Sequence, residues 1–175
     1  MSNRNRSRRF AWTIVLTIAA LLLAPVAAAS ASPQALATRQ VDFVENSESH
    51  LCLAPYPDHV QVTQNSCRSV QWNLLDQGYP WFKMQDPYTG KCIGVAGNSM
   101  ADGAKLVLWP CYDPGNDNLI WQGVGQGSSG MWPFVKFVNH HSGKCMAVPG
   151  ASHQSIQLIQ YRCDGTANQK WEVEG

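Results

Sequence analysis

The chain has 175 residues, and its 13 Lys and Arg against 12 Asp and Glu give a formal net charge of +1. Four of those basic residues and none of the acids lie in residues 1–31, so the remaining chain has a net charge near −3. This balance predicts no binding to nucleic acid or to an anionic membrane, because both need a basic surface. About 144 residues remain after residue 31, a length that suits one domain.

Residues 1–31 have the pattern of a secretory signal peptide. A basic segment at residues 4–9 precedes an apolar run at residues 10–23, and small residues at 27–31 provide cleavage sites. An uncleaved membrane anchor is the alternative, because the apolar run nearly reaches spanning length. We predict a secreted, extracellular protein with no membrane contact after cleavage, and a flexible lead-in at residues 32–40.

The rest of the sequence repeats one all-β pattern, which is clearest at its C-terminal end. A predicted strand at residues 134–138 is followed by a turn and Cys145, and a second strand ends at Cys163 before Trp171 closes the unit. Turns rich in Gly, Pro, Asn and Asp between short apolar runs are typical of all-β domains. A unit this small cannot bury a core alone, so its recurrence predicts one domain with threefold internal symmetry.

Two further copies precede it, and we place the three repeats at residues 41–78, 79–131 and 132–175. The closing tryptophans are 49 and 50 residues apart, and we interpret them as core residues around the threefold axis. The equivalent residues are Cys52, Cys67 and Trp72 in the first repeat, and Cys92, Cys111 and Trp121 in the second.

In this register the chain resembles the ricin B-chain (R-type) lectin β-trefoil family. The family's closing Gln-x-Trp triplet is intact only as Gln169-Lys170-Trp171, while Leu119 and Val70 replace the glutamine in the second and first repeats. The resemblance extends over roughly residues 41–175. It implies a β-trefoil fold in which each repeat is stapled by one disulfide.

Six cysteines permit 15 pairings in principle. The repeat selects the pairs within each repeat, namely Cys52–Cys67, Cys92–Cys111 and Cys145–Cys163. Secretion would provide the oxidising compartment that such bridges need. Zinc binding is disfavoured because no closely spaced Cys-x-x-Cys pair occurs. We therefore predict no metal and no cofactor.

The resemblance also implies a sugar pocket within a repeat. In the family, an aromatic ring two residues before the second Cys stacks on the apolar face of a hexose. An aspartate two residues after the first Cys and the closing Asn-Gln pair bind the hydroxyls. Carried onto this sequence, the carbohydrate-binding residues are Tyr161, Asn168 and Gln169 in the third repeat, and Trp109 and Asn118 in the second.

All three family aspartates are replaced, by Ala54, Gly94 and Ala147. A carboxylate forms charge-assisted hydrogen bonds that are stronger than neutral ones. Its loss leaves open which glycan is bound, galactose-type or other, and whether any is. The third repeat is predicted to be the best preserved, because only there do the ring and both amides coexist. Candidates for a substitute acceptor are Asp102, Asn98, His153 and Gln154.

These patterns predict a carbohydrate-binding module that is not an enzyme. The sequence has no Gly-x-Ser-x-Gly elbow, no His-Glu-x-x-His helix and no phosphate-binding loop. The alternative is a trefoil that has lost sugar binding and acts as a protein-interaction or toxin-accessory subunit. A contiguous exposed patch of Tyr79, Trp81, Trp132 and Phe134 would favour that alternative.

Overall fold

The computed structural model describes residues 38–58, 60–68, 70–126 and 134–175. The predicted signal peptide, residues 32–37 of the lead-in, and Trp132 lie outside the described residues. The described residues form strands, turns and short 3-10 helices, which confirms the all-β prediction. The strands are β1 (Thr38–Val41), β2 (Phe43–Asn46), β3 (Cys52–Pro55), β4 (Val62–Asn65), β5 (Trp72–Asp76), β6 (Trp81–Gln85), β7 (Lys91–Val95), β8 (Leu106–Pro110), β9 (Trp121–Gln126), β10 (Phe134–Asn139), β11 (Cys145–Ala147), β12 (Ile156–Gln157), β13 (Ile159–Tyr161) and β14 (Trp171–Glu174).

Within the described ranges there are four 3-10 helices, each three residues long. They are Ala96–Asn98, Asp117–Leu119, Pro149–Ala151 and Ala167–Gln169. None of the helices in these ranges has the length and apolar composition that crossing a bilayer requires.

The strands form a β-trefoil, as predicted. In the second and third repeats, the first strand pairs with the last strand of the preceding repeat and also with the last strand of its own repeat. Thus β6 pairs with β5 and β9, and β10 pairs with β9 and β14. Six of the other strands form one hairpin per repeat, β3–β4, β7–β8 and β11–β13, and β12 pairs with β4. The hairpins carry the loops on which the candidate sites lie.

The first repeat begins earlier than predicted. Thr38, Arg39 and Gln40, assigned from the sequence to a flexible lead-in, belong to β1 and pair with Leu75, Leu74 and Asn73 of β5. After a bend at Asp42 the chain continues as β2, which pairs with β14. In the first repeat, β1 and β2 together occupy the place that the single strands β6 and β10 have in the other repeats, since β1 pairs with β5 and β2 pairs with β14. The chain is therefore extended from Thr38 onward, which closes the barrel.

The three closing tryptophans are fully buried, which confirms their prediction as core residues. Each indole nitrogen donates to the backbone carbonyl of the residue that follows the first Cys of its repeat. The acceptors are Leu53, Ile93 and Met146, at 3.0, 2.9 and 3.4 Å. Truncating such a side chain costs about 3–5 kcal/mol of unfolding free energy. The tryptophans therefore fix the hairpins to the barrel.

The three predicted disulfides are present, with Cα–Cα distances of 4.9, 4.9 and 5.0 Å. The glycine-rich segment that follows Trp121 begins as a strand, because Gly123 and Gly125 belong to β9 and pair with Phe137 and Val135.

Candidate functional site

A cleft of about 740 Å³ lies on the second repeat. Its walls are the β7–β8 hairpin, the Ala96–Asn98 helix and the loop that runs from Cys111 to Asn118. Val60 of the first repeat borders the cleft, because its carbonyl accepts a hydrogen bond from Leu108 N at 2.7 Å. This volume is within the range of small-molecule binding pockets.

Trp109 provides the aromatic surface of this cleft. Side chains alternate between the two faces of a strand, and along β8 Leu106 and Leu108 are buried in the core. Val107 and Trp109 therefore face the other side and line the cleft. The side chain of Trp109 is 54% exposed. A large ring in this position is a platform on which another flat apolar surface could stack.

Asp113 and Asn116 form the polar rim of the cleft. Asn116 Nδ2 donates to Asp113 Oδ2 at 2.7 Å, and Asn116 Oδ1 accepts from Asn118 N at 3.2 Å, which caps the Asp117–Leu119 helix. Asp113 is half-buried, and its Oδ1 has no hydrogen-bond partner among the described residues. A carboxylate oriented by an amide and open on its second oxygen is a strong acceptor.

Asn118 is buried in the wall of the cleft. Its Oδ1 accepts from Val95 N at 3.0 Å and its Nδ2 donates to Val95 O at 2.8 Å. These two bonds use half of the capacity of the amide, which leaves one N–H and one lone pair. Asn98, the last residue of the Ala96–Asn98 helix, also lines the cleft and is exposed.

Two departures of the second repeat from the family pattern are structurally linked. A Cβ on Gly94 would lie 2.6 Å from Leu119 Cδ2 and 3.0 Å from Asn118 Nδ2. Leu119 is fully buried against the Cys92–Cys111 bridge. The leucine that replaces the family's glutamine therefore fills the space that an aspartate at position 94 would need.

The third repeat surrounds its aromatic ring differently. Tyr161 is half-buried, and the guanidinium carbon of Arg162 lies 5.3 Å from the centroid of its ring. Asn168 Nδ2 donates to Val148 O at 2.7 Å, and its Oδ1 accepts from Thr166 Oγ1 at 2.6 Å. The ring therefore has a partner within the chain, while the amide, like that of Asn118, keeps one N–H and one lone pair.

The side chain of Gln169, which the family pattern predicts as a sugar contact, forms hydrogen bonds within the chain. Its side chain is 1% exposed. The Nε2 atom donates to Arg162 O at 2.8 Å, and Oε1 accepts from the backbone N–H groups of Asp164 and Gly165 at 3.0 and 3.4 Å. Gln169 therefore holds the loop after Tyr161 in place. Ala147, at the family's aspartate position, is also buried.

Of the candidate substitute acceptors, Asp102 is already engaged. Its Oδ1 accepts from Lys144 Nζ at 2.6 Å and from Arg162 N at 3.0 Å. The hydrogen bond from Lys144 is the largest cause that lowers the pKa of Asp102 below its ordinary value. His153 lies 4.0 Å from Glu48, outside the second-repeat cleft.

Sequence reasoning did not identify Asp113 as an acceptor. The only signal was its place in the Asp-Pro-Gly turn after Cys111, which indicates a turn rather than a ligand. In the first repeat Ala54 is buried, and Asn65 stands where the ring should be, beside a pocket of about 190 Å³. Ser69 lies outside the described residues.

Comparison with known proteins identifies the same family at the C-terminal end. Residues 117–175 match the family model of the ricin-type β-trefoil lectin domain-like proteins. No curated protein matches the sequence. Among solved structures, the designed threefold-symmetric protein ThreeFoil superposes with a TM-score of 0.70 at 28% identity, over 78% of this chain and 98% of that one.

Two natural proteins have the same fold. The exo-β-1,3-galactanase from Clostridium thermocellum superposes with a TM-score of 0.65 at 24% identity, over 75% of this chain but only 29% of that one. The ricin B-like lectin of Macrolepiota procera, solved in complex with lactose, gives a TM-score of 0.65 at 13% identity, over 78% of this chain and 94% of that one. The resemblance to the ricin B-type lectin family is thus confirmed, by the family model over residues 117–175 and by the trefoil fold over the domain.

Proposed function

We propose that this chain is a secreted carbohydrate-binding module whose principal sugar site is the second-repeat cleft. The observation that carries the proposal is the half-exposed Trp109 ring, which lies in one cleft with an oriented carboxylate that has an open oxygen, Asp113. An aromatic platform beside a few placed polar groups is the arrangement that hexose rings require.

Each part of the cleft has a role in this proposal. Trp109 stacks on the C–H face of a sugar ring, while Asp113 Oδ1 accepts a hydroxyl proton in a charge-assisted hydrogen bond. Asn98 and the remaining N–H of Asn118 can fix further hydroxyls. Asp113 therefore substitutes for the family aspartate that Gly94 lacks, but from the loop after the second Cys of the repeat.

The second repeat is preferred to the third, although the sequence ranks them the other way. In the third repeat a sugar must first displace Arg162 from the Tyr161 ring, a contact worth about 0.5–1 kcal/mol at an exposed site. In the second repeat Pro110 follows the ring, so no arginine stands at the equivalent position.

A glycan array followed by calorimetric titration with lactose and galactose tests this proposal. We expect Trp109→Ala to weaken binding about tenfold or more, because stacking is lost. Tyr112→Ala is the matched control, since Tyr112 is a fully exposed ring in the adjoining loop and does not line the cleft. A blank array, or equal affinity in the Trp109 variant and wild type, would exclude a sugar site here.

Secretion is part of the proposal and is supported by the three disulfides, since such bridges form in oxidising compartments. N-terminal sequencing of the protein from the culture medium tests it. A mature N-terminus at residue 30 or 32, after Ala29 or Ala31, is expected, whereas an uncleaved, membrane-associated chain would favour the anchor alternative.

A second candidate function is a protein-interaction subunit, for which a separate groove of about 460 Å³ offers support. Tyr79 is 98% exposed at its edge, and Pro80, Trp81 and Phe82 also line it. Trp81 is half-buried, and its ring packs edge-on against the ring of His140, with 4.5 Å between the ring centroids. Replacing Tyr79 by Ala should leave sugar binding unchanged. If Tyr79→Ala abolished binding to a protein partner and Trp109→Ala did not, the protein-interaction candidate would be preferred.

A further inference from the structure

We propose that the second-repeat cleft is shaped by a polar network belonging to the third repeat, formed by Asn139, Ser142 and Gln160. This inference rests on the proposed function, because it assumes that the cleft is the sugar site. It adds that residues of two repeats determine the shape of that site. Gln160 acts as a positioning residue, since its side chain is fully buried and its contacts are to the loop, not to the interior of the cleft.

Gln160 holds the first wall of the cleft. Its Nε2 donates to Ser99 O at 2.7 Å and to Ala101 O at 2.9 Å. These carbonyls immediately follow the Ala96–Asn98 helix, which lines the cleft. That segment is not a strand, and Gly97 and Asn98 both have positive φ angles, 62° and 52°. Its conformation therefore depends on tertiary hydrogen bonds rather than on a sheet ladder.

Asn139 holds the second wall. Its Nδ2 donates to Asn118 O at 2.8 Å, directly behind the amide that faces the cleft. Ser142 joins the two braces, because its Oγ donates to Gln160 Oε1 at 2.7 Å and its N–H donates to Asn139 Oδ1 at 3.2 Å. One connected network therefore reaches both walls from behind.

The first repeat contains the same network, aimed at the third repeat. Asn46, Ser49 and Gln64 occupy the equivalent positions, and Ser49 Oγ donates to Gln64 Oε1 at 2.7 Å. Gln64 Nε2 donates to Ser152 O at 2.7 Å and to Gln154 O at 2.8 Å. Each of these two repeats thus braces the site loop of the preceding one.

The second repeat lacks the glutamine of this brace. Leu108 lies three residues before the second Cys of its repeat, as Gln64 and Gln160 do in theirs. The loop that a glutamine there would hold belongs to the first repeat, where the family's ring is already replaced by Asn65. A bracing glutamine is therefore present for the two repeats that keep an aromatic ring and is replaced by leucine for the one that has lost it.

Hydrogen exchange on the full protein tests the network without any sugar. Gln160→Leu copies Leu108 and removes both bonds to the loop, so amide exchange in residues 96–103 should accelerate about tenfold or more. Residues 149–155 should keep the wild-type rate. Gln64→Leu is the matched control and should give the reverse pattern. Unchanged exchange in residues 96–103 of the Gln160 variant would overturn the proposal.

Lactose titration of the same variants tests the consequence for binding. Gln160→Leu should weaken the affinity several-fold, and Gln64→Leu should leave it unchanged. Faster exchange with unaltered affinity would also overturn the proposal, because the loop would then not shape the site. If wild type binds no glycan, the proposed function fails. The hydrogen-exchange result still shows whether Gln160 holds the loop of residues 96–103. If Gln160→Leu does not fold, Ser142→Ala and its control Ser49→Ala replace the pair.

Discussion

The second and third repeats contain the same pattern of cysteines and tryptophan, yet they present their aromatic rings in opposite ways. Trp109 lies open on its cleft, whereas Tyr161 is half-buried with a guanidinium beside its face. The residue that follows the ring makes the difference, Pro110 in one repeat and Arg162 in the other. A ring's presence in a motif is therefore a separate matter from its availability to a ligand.

The closing motif teaches the same lesson. Gln169 preserves the family glutamine, but its three hydrogen bonds hold the loop of residues 162–165. Leu119 departs from the family, yet it fills the equivalent space with a buried side chain and leaves the cleft intact. Gln-x-Trp thus serves here as a structural motif, and its loss from the second repeat does not damage the cleft.

The largest effect is expected from restoring the family aspartate in the second repeat. Gly94→Asp would place a Cβ 2.6 Å from Leu119 and a carboxylate in a buried position. Overpacking and a buried polar group together should lower the unfolding free energy by about 3 kcal/mol or more. Urea denaturation followed by circular dichroism measures this.

The double variant Gly94→Asp with Leu119→Gln is the control for that change. Because the two side chains compete for one space, the double variant should be more stable than the sum of the single changes predicts, by about 1 kcal/mol or more. Strict additivity would show that the two departures from the family pattern are independent.

A smaller effect is expected from Gln169→Leu, which copies the second repeat into the third. The substitution leaves two backbone N–H groups and the carbonyl of Arg162 without their partner. We expect a loss of about 1–3 kcal/mol of unfolding free energy, because three hydrogen bonds are lost and each contributes about 0.5–1.5 kcal/mol net. A loss of lactose affinity with unchanged stability would instead restore Gln169 as a direct sugar contact.

The next prediction tests whether Arg162 limits the access of a sugar to the Tyr161 ring. Arg162→Ala removes the cation from Tyr161 and keeps the backbone bond from residue 162 to Asp102. In a Trp109→Ala background, lactose binding should then improve by about 0.5–1 kcal/mol, the value of the lost cation–π contact. Calorimetry measures it, with Arg68→Ala as the control for the removal of one exposed positive charge. No gain would show that the neighbouring arginine does not limit this ring.

The fold could be predicted from the sequence because its determinants repeat. Three buried tryptophans, three Cys pairs and alternating apolar runs specify the same unit three times, so that an error in one copy is corrected by the others. The exception was the start of the barrel, since nothing in Thr38-Arg39-Gln40 indicates a strand. Those residues are extended because β5 offers them a partner, which is a tertiary cause.

The site was harder to predict because its availability depends on neighbours distant in sequence. The positions of Trp109 and Tyr161 were found from the motif, but their exposure depends on packing. Gln160 and Asn139 had no sequence signal as braces, because their partners are about 20 to 60 residues away. A polar residue in an apolar strand marks a buried network only after the chain is folded.

The smallest effect concerns the contact that ties the second repeat to the third, between Asp102 and Lys144. The hydrogen bond from Lys144 lowers the pKa of Asp102 below 3.8 in the folded state. A carboxyl group with a lowered folded pKa adds stability that is complete above its unfolded pKa and is lost as the pH falls through the folded value. Asp102→Asn should therefore be slightly less stable than wild type at pH 6, and the gap should close below about pH 4. Thermal unfolding across this range measures it. Lys144→Met should lose the same pH-dependent increment, and the double variant should lose no more than either single one. A gap that stays constant down to pH 2 would show that the ion pair is not its source.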